Sequence, residues 1–126
     1  MSSNTPSPAD WYATWSTRMK AMKAVMPDAA KAFAALHHGT MKANALTELE
    51  KEFVALGIGI AVRCDNCINA HVEKCIKLGA TAQQVLDVAT VAVMMGGGPS
   101  YTYATAVVEA LQALGALPAE ITPAAG

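Results

Sequence analysis

The sequence predicts an all-α fold. Three observations carry that reading: apolar residues recur at helical 3.6-residue spacing, no Val/Ile/Thr-rich alternating segment is present, and helix-start and helix-stop residues punctuate the periodic segments. At 126 residues the chain fits one domain, 1–126, with a modest single core.

The elements follow in order. Residues 1–6 are small and polar and read as a frayed start. Ser7-Pro8-Ala9-Asp10 has the pattern of an N-cap followed by Pro at the first helical position, opening a helix to about Val25 that Pro27 ends. Its apolar face includes Trp11, Trp15, Met19, Met22 and Met26. Asp28 is the expected cap of a second helix through Phe33 and Leu36, stopped at Gly39. Thr47-Glu48-Leu49-Glu50 is a capping box, in which a hydroxyl and a carboxylate each accept from an orphan backbone N–H; it starts a helix to about Val62. A motif-bearing helix from near Arg63 ends at Gly79, placed as a left-handed cap. A second box, Thr81-Ala82-Gln83-Gln84, starts a helix ending near Gly96-Gly97-Gly98, a tight interhelical turn. Pro99 suits the first turn of a final helix to Leu114, with Gly115 and Pro118 as stops and 119–126 as a loose tail.

Composition excludes several function classes. The net charge of −1, with nine Lys plus Arg and no basic run, lacks the electrostatic footprint of nucleic-acid binding. The apolar stretches Phe53 to Val62 and Val85 to Gly98 fall short of the ~20 residues a membrane helix needs. No basic n-region followed by an apolar h-region opens the chain, so no membrane association and a cytoplasmic location are expected. Apolar residues make up 53% of the sequence but aromatics only 6%. Such a surplus of Ala, Val, Leu and Met in a small domain predicts self-association through a buried interface. Three cysteines, two at x-x spacing, suggest reactive or metal-binding thiols rather than a secreted disulfide framework.

Chemistry is concentrated in Cys64-x-x-Cys67-x-x-x-His71. On a helix these spacings put all three side chains on one face. With a helix starting near Arg63, Cys64 lies in the first turn, where free N–H groups and the positive dipole end favour thiolate. His71, one turn beyond Cys67, can take its proton, and Glu52 on the preceding helix can orient that imidazole. Zinc held by Cys64, Cys67, His71 and Cys75 is disfavoured, because one continuous helix separates Cys64 from Cys75 by roughly 16 Å of rise. Attached haem needs His directly after the second Cys, where Ile68 stands. Neither a metal nor another cofactor is therefore expected. Inert packing remains the competing reading of the cluster, and for Cys75 it is the preferred one. His37 and His38, beside Gly39, fit capping of a helix C-terminus better than catalysis. The methionines at 19, 22, 26, 94 and 95 fit core filling. Glu52 by itself would be an ordinary surface carboxylate.

The segments Leu46-Thr47-Glu48-Leu49-Glu50-Lys51-Glu52, Cys64-Asp65-Asn66-Cys67-Ile68-Asn69-Ala70-His71, Gly79-Ala80-Thr81 and Gly96-Gly97-Gly98-Pro99 together resemble the carboxymuconolactone decarboxylase and alkylhydroperoxidase D-like family over about 46–114. The resemblance implies about six helices around an antiparallel core helix pair, assembled as trimers or hexamers. It also implies a catalytic set of Glu52, Cys64, Cys67 and His71: Cys67 attacked by hydroperoxide, Cys64 resolving it as a disulfide, Glu52 with His71 relaying the proton. The helix dipole points instead to Cys64 as the more acidic thiol, whereas the reach of His71 favours Cys67 as the attacked one. Alkylhydroperoxidase D carries His between its cysteines where this chain has Asn66. The implied activity is thiol-dependent peroxidase-like reduction of hydroperoxides, with a thioredoxin-like or dihydrolipoyl reductant. Two alternatives are disulfide exchange without peroxidase activity, and a non-catalytic oligomer binding a small acid. The paired cysteines speak against lactone decarboxylation.

Overall fold

The computed structural model describes residues 6–124, which form α1 (Pro8–Val25), α2 (Pro27–Met41), α3 (Glu48–Ala61), α4 (Asp65–Lys77), α5 (Ala82–Gly96) and α6 (Gly98–Ala113). No strand occurs among the described residues. Of the expected frayed start, residues 1–5 lie outside the described residues, as do 125–126 of the expected tail; the rest of that tail, 119–124, follows α6 without helix or strand.

Helix starts obey the local chemistry. Ser7 Oγ accepts from Asp10 N, while Thr47 and Thr81 both close reciprocal capping boxes with Glu50 and Gln84. Asp28 departs from expectation. Pro27 takes the first helical position and Met26 is the junction shared by α1 and α2, so Asp28 sits inside the first turn with no capping bond.

The helix ends are equally specific. Three of them close with paired bonds of the Schellman type: Arg63 N to Ile60 O with Cys64 N to Gly59 O, Gly79 N to Ile76 O with Ala80 N to Cys75 O, and Gly115 N to Gln112 O with Ala116 N to Leu111 O. Gly79 (φ 95°) and Gly115 (φ 75°) supply the left-handed residue without a Cβ penalty, but at the end of α3 that conformation falls on Arg63 (φ 60°). The expected stop of α2 at Gly39 is overturned, since the helix continues to Met41. Lys51 explains the extension: its ammonium donates to Thr40 O at 2.7 Å and Lys42 O at 2.6 Å, capping α2 from a different helix.

Packing builds a four-helix core. The turn at 62–64 folds α4 back on α3, giving the antiparallel pair, while α5 lies on α3 and α6 covers α4 and α5. Leu56 and Ile60 meet Ile68, Val72 and Cys75 across that pair, and Val85, Val107 and Leu111 close the other side. Each fully buried aliphatic side chain here contributes about 1.5–3 kcal/mol of transfer free energy. The α1–α2 hairpin lies outside this core, with α1 crossing α4 and α6. Only Trp11 is buried on α1, and no residue of α2 is. Met26, Met94 and Met95 are exposed, which corrects the expectation that they fill the core; they stand on faces that a single chain leaves uncovered.

Candidate redox site

The site lies where α3 hands over to α4. Arg63 closes α3 in the left-handed region, Cys64 then turns extended (φ −108°, ψ 100°), and α4 begins only at Asp65. Cys64 is therefore the N-cap rather than a first-turn residue, because α4 starts two positions later than the expected Arg63. Its sulfur does the work of a capping oxygen, accepting from Cys67 N at 3.1 Å. The sulfur thus lies at the positive end of the α4 dipole and accepts one of its free N–H groups.

Cys64 and Cys67 are disulfide-bonded, with Cα atoms 5.2 Å apart. Close approach of α3 makes room for them: Gly59 is buried, and a Cβ there would lie 3.1 Å from Cys67 Cβ. One turn further along α4, His71 Nδ1 lies 2.6 Å from Glu52 Oε2. Glu52 is only 1% exposed, so this partner decides whether its carboxyl group is satisfied. With Nδ1–H donating to Glu52, Nε2 is left as the ring nitrogen able to take or give a proton.

Structure brings all four sequence-derived candidates, Glu52, Cys64, Cys67 and His71, to the α3–α4 pair. It sets Cys75 apart as a free, fully buried thiol, where burial, followed by the Glu52 charge, pushes its pKa up to about 12. His38 lies in the last turn of α2, where a basic ring suits the negative helix end, while His37 lies a turn back and lines a cavity beside the Glu52–His71 pair. That cavity, about 310 Å³, is walled by Trp11, Tyr12 and Trp15, with Glu52 and His71 also in its lining; neither disulfide cysteine lines it. Among the described residues no group of three or more His, Cys, Asp or Glu side chains is placed to hold a metal ion.

Several neighbours of the site escaped the sequence. Trp11 Nε1 donates to Asn66 Oδ1 at 2.8 Å, and Tyr12 donates to Asn69 O at 2.7 Å. Burial, reinforced by Glu73, raises the Tyr12 pKa well above the ordinary phenol value, so the hydroxyl remains a donor. These contacts join residues 55 and 57 positions apart, for which local periodicity holds no signal. Gly59 did carry one, since a glycine inside an otherwise apolar helix marks close backbone approach.

The fold and site together are those of an all-helical protein with a Cys-x-x-Cys disulfide at a helix N-terminus beside a buried Glu–His pair. The profile of the carboxymuconolactone decarboxylase family matches residues 27–110, and the chain belongs to that family. The match begins in α2, earlier than the resemblance at Leu46 suggested. A carboxymuconolactone decarboxylase family protein from Legionella pneumophila, solved in its apo form, superposes with a TM-score of 0.78 at 31% identity, over 83% of this chain and 94% of that one. A family member from Thermotoga maritima shares the fold, with a TM-score of 0.66 at 21% identity over 77% and 89% of the two chains. An uncharacterized protein of Cupriavidus necator is 28% identical over 96 residues, 76% of this chain and 85% of that protein. No helix among the described residues is long and apolar enough to cross a membrane.

Proposed function

We propose that the protein is a thiol-dependent peroxidase that reduces hydroperoxides through a Cys64/Cys67 dithiol–disulfide cycle. The observation that carries this reading is the juxtaposition of a Cys64–Cys67 disulfide with the buried Glu52–His71 pair one helical turn away. Family membership is compatible with it.

In the cycle His71 takes the Cys67 proton and the thiolate sulfur attacks the O–O bond. An alcohol leaves with that proton, and Cys67 becomes a sulfenic acid. Cys64 then gives up its thiol proton and attacks the Cys67 sulfur, the sulfenic hydroxyl leaves with that proton as water, and the disulfide forms. A dithiol of the thioredoxin or dihydrolipoyl class reduces it, becoming a disulfide itself. The N-capping bond from Cys67 N makes Cys64 the better leaving thiolate, so the reductant attacks the Cys67 sulfur.

The working unit is a homo-oligomer in this reading. Phe33 and Leu36 on α2 are 66% and 64% exposed, and an apolar groove of about 830 Å³ runs between α1 and α2 along Met19, Met22 and Met26. A second copy covering this face would bury what composition leaves in excess.

Mass-mapped thiol counting tests the chemistry. Reduced protein given one equivalent of tert-butyl hydroperoxide should lose two thiols as a Cys64–Cys67 bridge, and Cys67→Ser should lose none as a bridge. Unchanged thiols in the parent protein would sink the peroxidase reading. Insulin reduction without peroxide would then point to disulfide exchange.

A further inference from the structure

We propose that Trp11 is a positioning residue for the dithiol, its indole N–H holding the Cys64–Cys67 loop through Asn66 in the geometry that favours the disulfide. The inference rests on the dithiol reading above, and concerns how a separate helix tunes it.

Trp11 is 3% exposed and is the buried anchor of α1. Packing alone would seat its ring: it stacks on Trp15 with centroids 4.8 Å apart and meets Tyr12 edge-on at 5.2 Å. A buried indole N–H still needs an acceptor, and the acceptor here is Asn66 Oδ1 at 2.8 Å, on a residue that stands between the two cysteines. Tyr12 adds a second hold by donating to Asn69 O at 2.7 Å. Helix α1 thus grips α4 at 66 and 69, one residue before Cys67 and two after it. The Cys64 backbone is fixed from the other side by the bond from its N–H to Gly59 O.

Opening the disulfide frees Cys64 and Cys67 to separate, and the freedom they gain depends on how firmly residues 64–67 are held. A loop gripped at Asn66 keeps the Cys64 sulfur close to Cys67, which raises the effective concentration of one thiol at the other. Loss of the grip shifts the equilibrium toward the dithiol. The reaction read out is balanced: the protein dithiol and glutathione disulfide give the protein disulfide and two glutathione thiols, with two electrons and two protons passing to glutathione.

The experiment equilibrates full-length protein in glutathione buffers, quenches with acid, and counts thiols by mass. Trp11→Phe keeps a ring in the buried site and removes the N–H; Asn66→Ala, at an exposed position, removes the acceptor with little risk to folding. Each should lower the equilibrium constant for disulfide formation by about threefold to tenfold, the reach of one hydrogen bond. The double variant should match the single ones rather than multiply them. Trp15→Phe, which alters the stacked pair but no bond to the loop, should change it less than about twofold. Equal loss in Trp15→Phe, multiplicative effects in the double variant, or an unmoved constant in Trp11→Phe would each overturn the proposal. A parent protein that forms no reversible Cys64–Cys67 disulfide would overturn the dithiol reading with it, an outcome distinguishable from a normal parent disulfide that Trp11→Phe leaves unshifted.

Discussion

Removing the His71 ring while leaving Glu52 in place isolates the energetics of the buried pair. Glu52 is 1% exposed, and its hydrogen-bond partner is His71 Nδ1 at 2.6 Å. His71→Ala therefore strands a carboxylate between α3 and α4, and breaking a buried pair in this way costs about 3–5 kcal/mol. The adjoining cavity of about 310 Å³ admits water to the vacated side, so the lower end, about 3 kcal/mol, applies. For a chain of this size that corresponds to a fall of roughly 10 °C in Tm. Most of the cost is the unpaired charge rather than the lost ring, so Glu52→Leu placed in the His71→Ala background should recover about 2 kcal/mol. Urea denaturation at one fixed protein concentration gives the comparison, with equal slopes required before midpoints are converted to free energies. A His71→Ala cost below about 1 kcal/mol would refute the claim that the pair is a buried, mutually dependent unit. Simple additivity of Glu52→Leu and His71→Ala would do the same.

Other consequences follow from the same geometry. Cys75, at a pKa of about 12, is thiolate at pH 8 in only roughly one molecule in ten thousand. Reduced native protein should thus take up two equivalents of iodoacetamide quickly and the third only after denaturation. Gly59→Ala inserts a Cβ 3.1 Å from Cys67 Cβ, which belongs to the helix and cannot rotate away; the resulting strain should cost about 1–3 kcal/mol in urea unfolding. Thr81→Ala removes one half of the α5 capping box and should cost about 1 kcal/mol. The Glu50 pKa is lowered by its bonds to Thr47, first to the backbone N–H and then to the side chain. A depressed carboxyl pKa adds stability that is present above the unfolded-state value and is lost as pH falls through the folded-state one. Acid titration of Thr47→Ala should accordingly show a shallower loss of stability below about pH 4.5 than the parent protein.

What the sequence disclosed and what it withheld divide along a physical line. Thr47, Thr81, Gly79 and Pro99 act on backbone groups within four residues of themselves, so their roles were legible from local pattern. The spacing of Cys64, Cys67 and His71 was likewise legible because a helix converts sequence distance into position. Features that depend on a second helix were not. Gly39 reads as a stop because nothing near it in sequence satisfies the later carbonyls; Lys51, a dozen residues on, does so and lets α2 run to Met41. Arg63 explains why the motif helix begins two residues later than local pattern suggests. The residue closing α3 has the left-handed conformation that glycine takes at Gly79 and Gly115, but here an arginine holds it. The bonds from Arg63 N and Cys64 N back to α3, together with the sulfur cap on α4, over-determine a conformation that arginine alone would disfavour by about 1–2 kcal/mol. The same over-determination fixes the Cys64 backbone within reach of Cys67, so the strained residue and the redox loop are parts of one local solution, and Arg63→Gly should ease the strain without moving the disulfide.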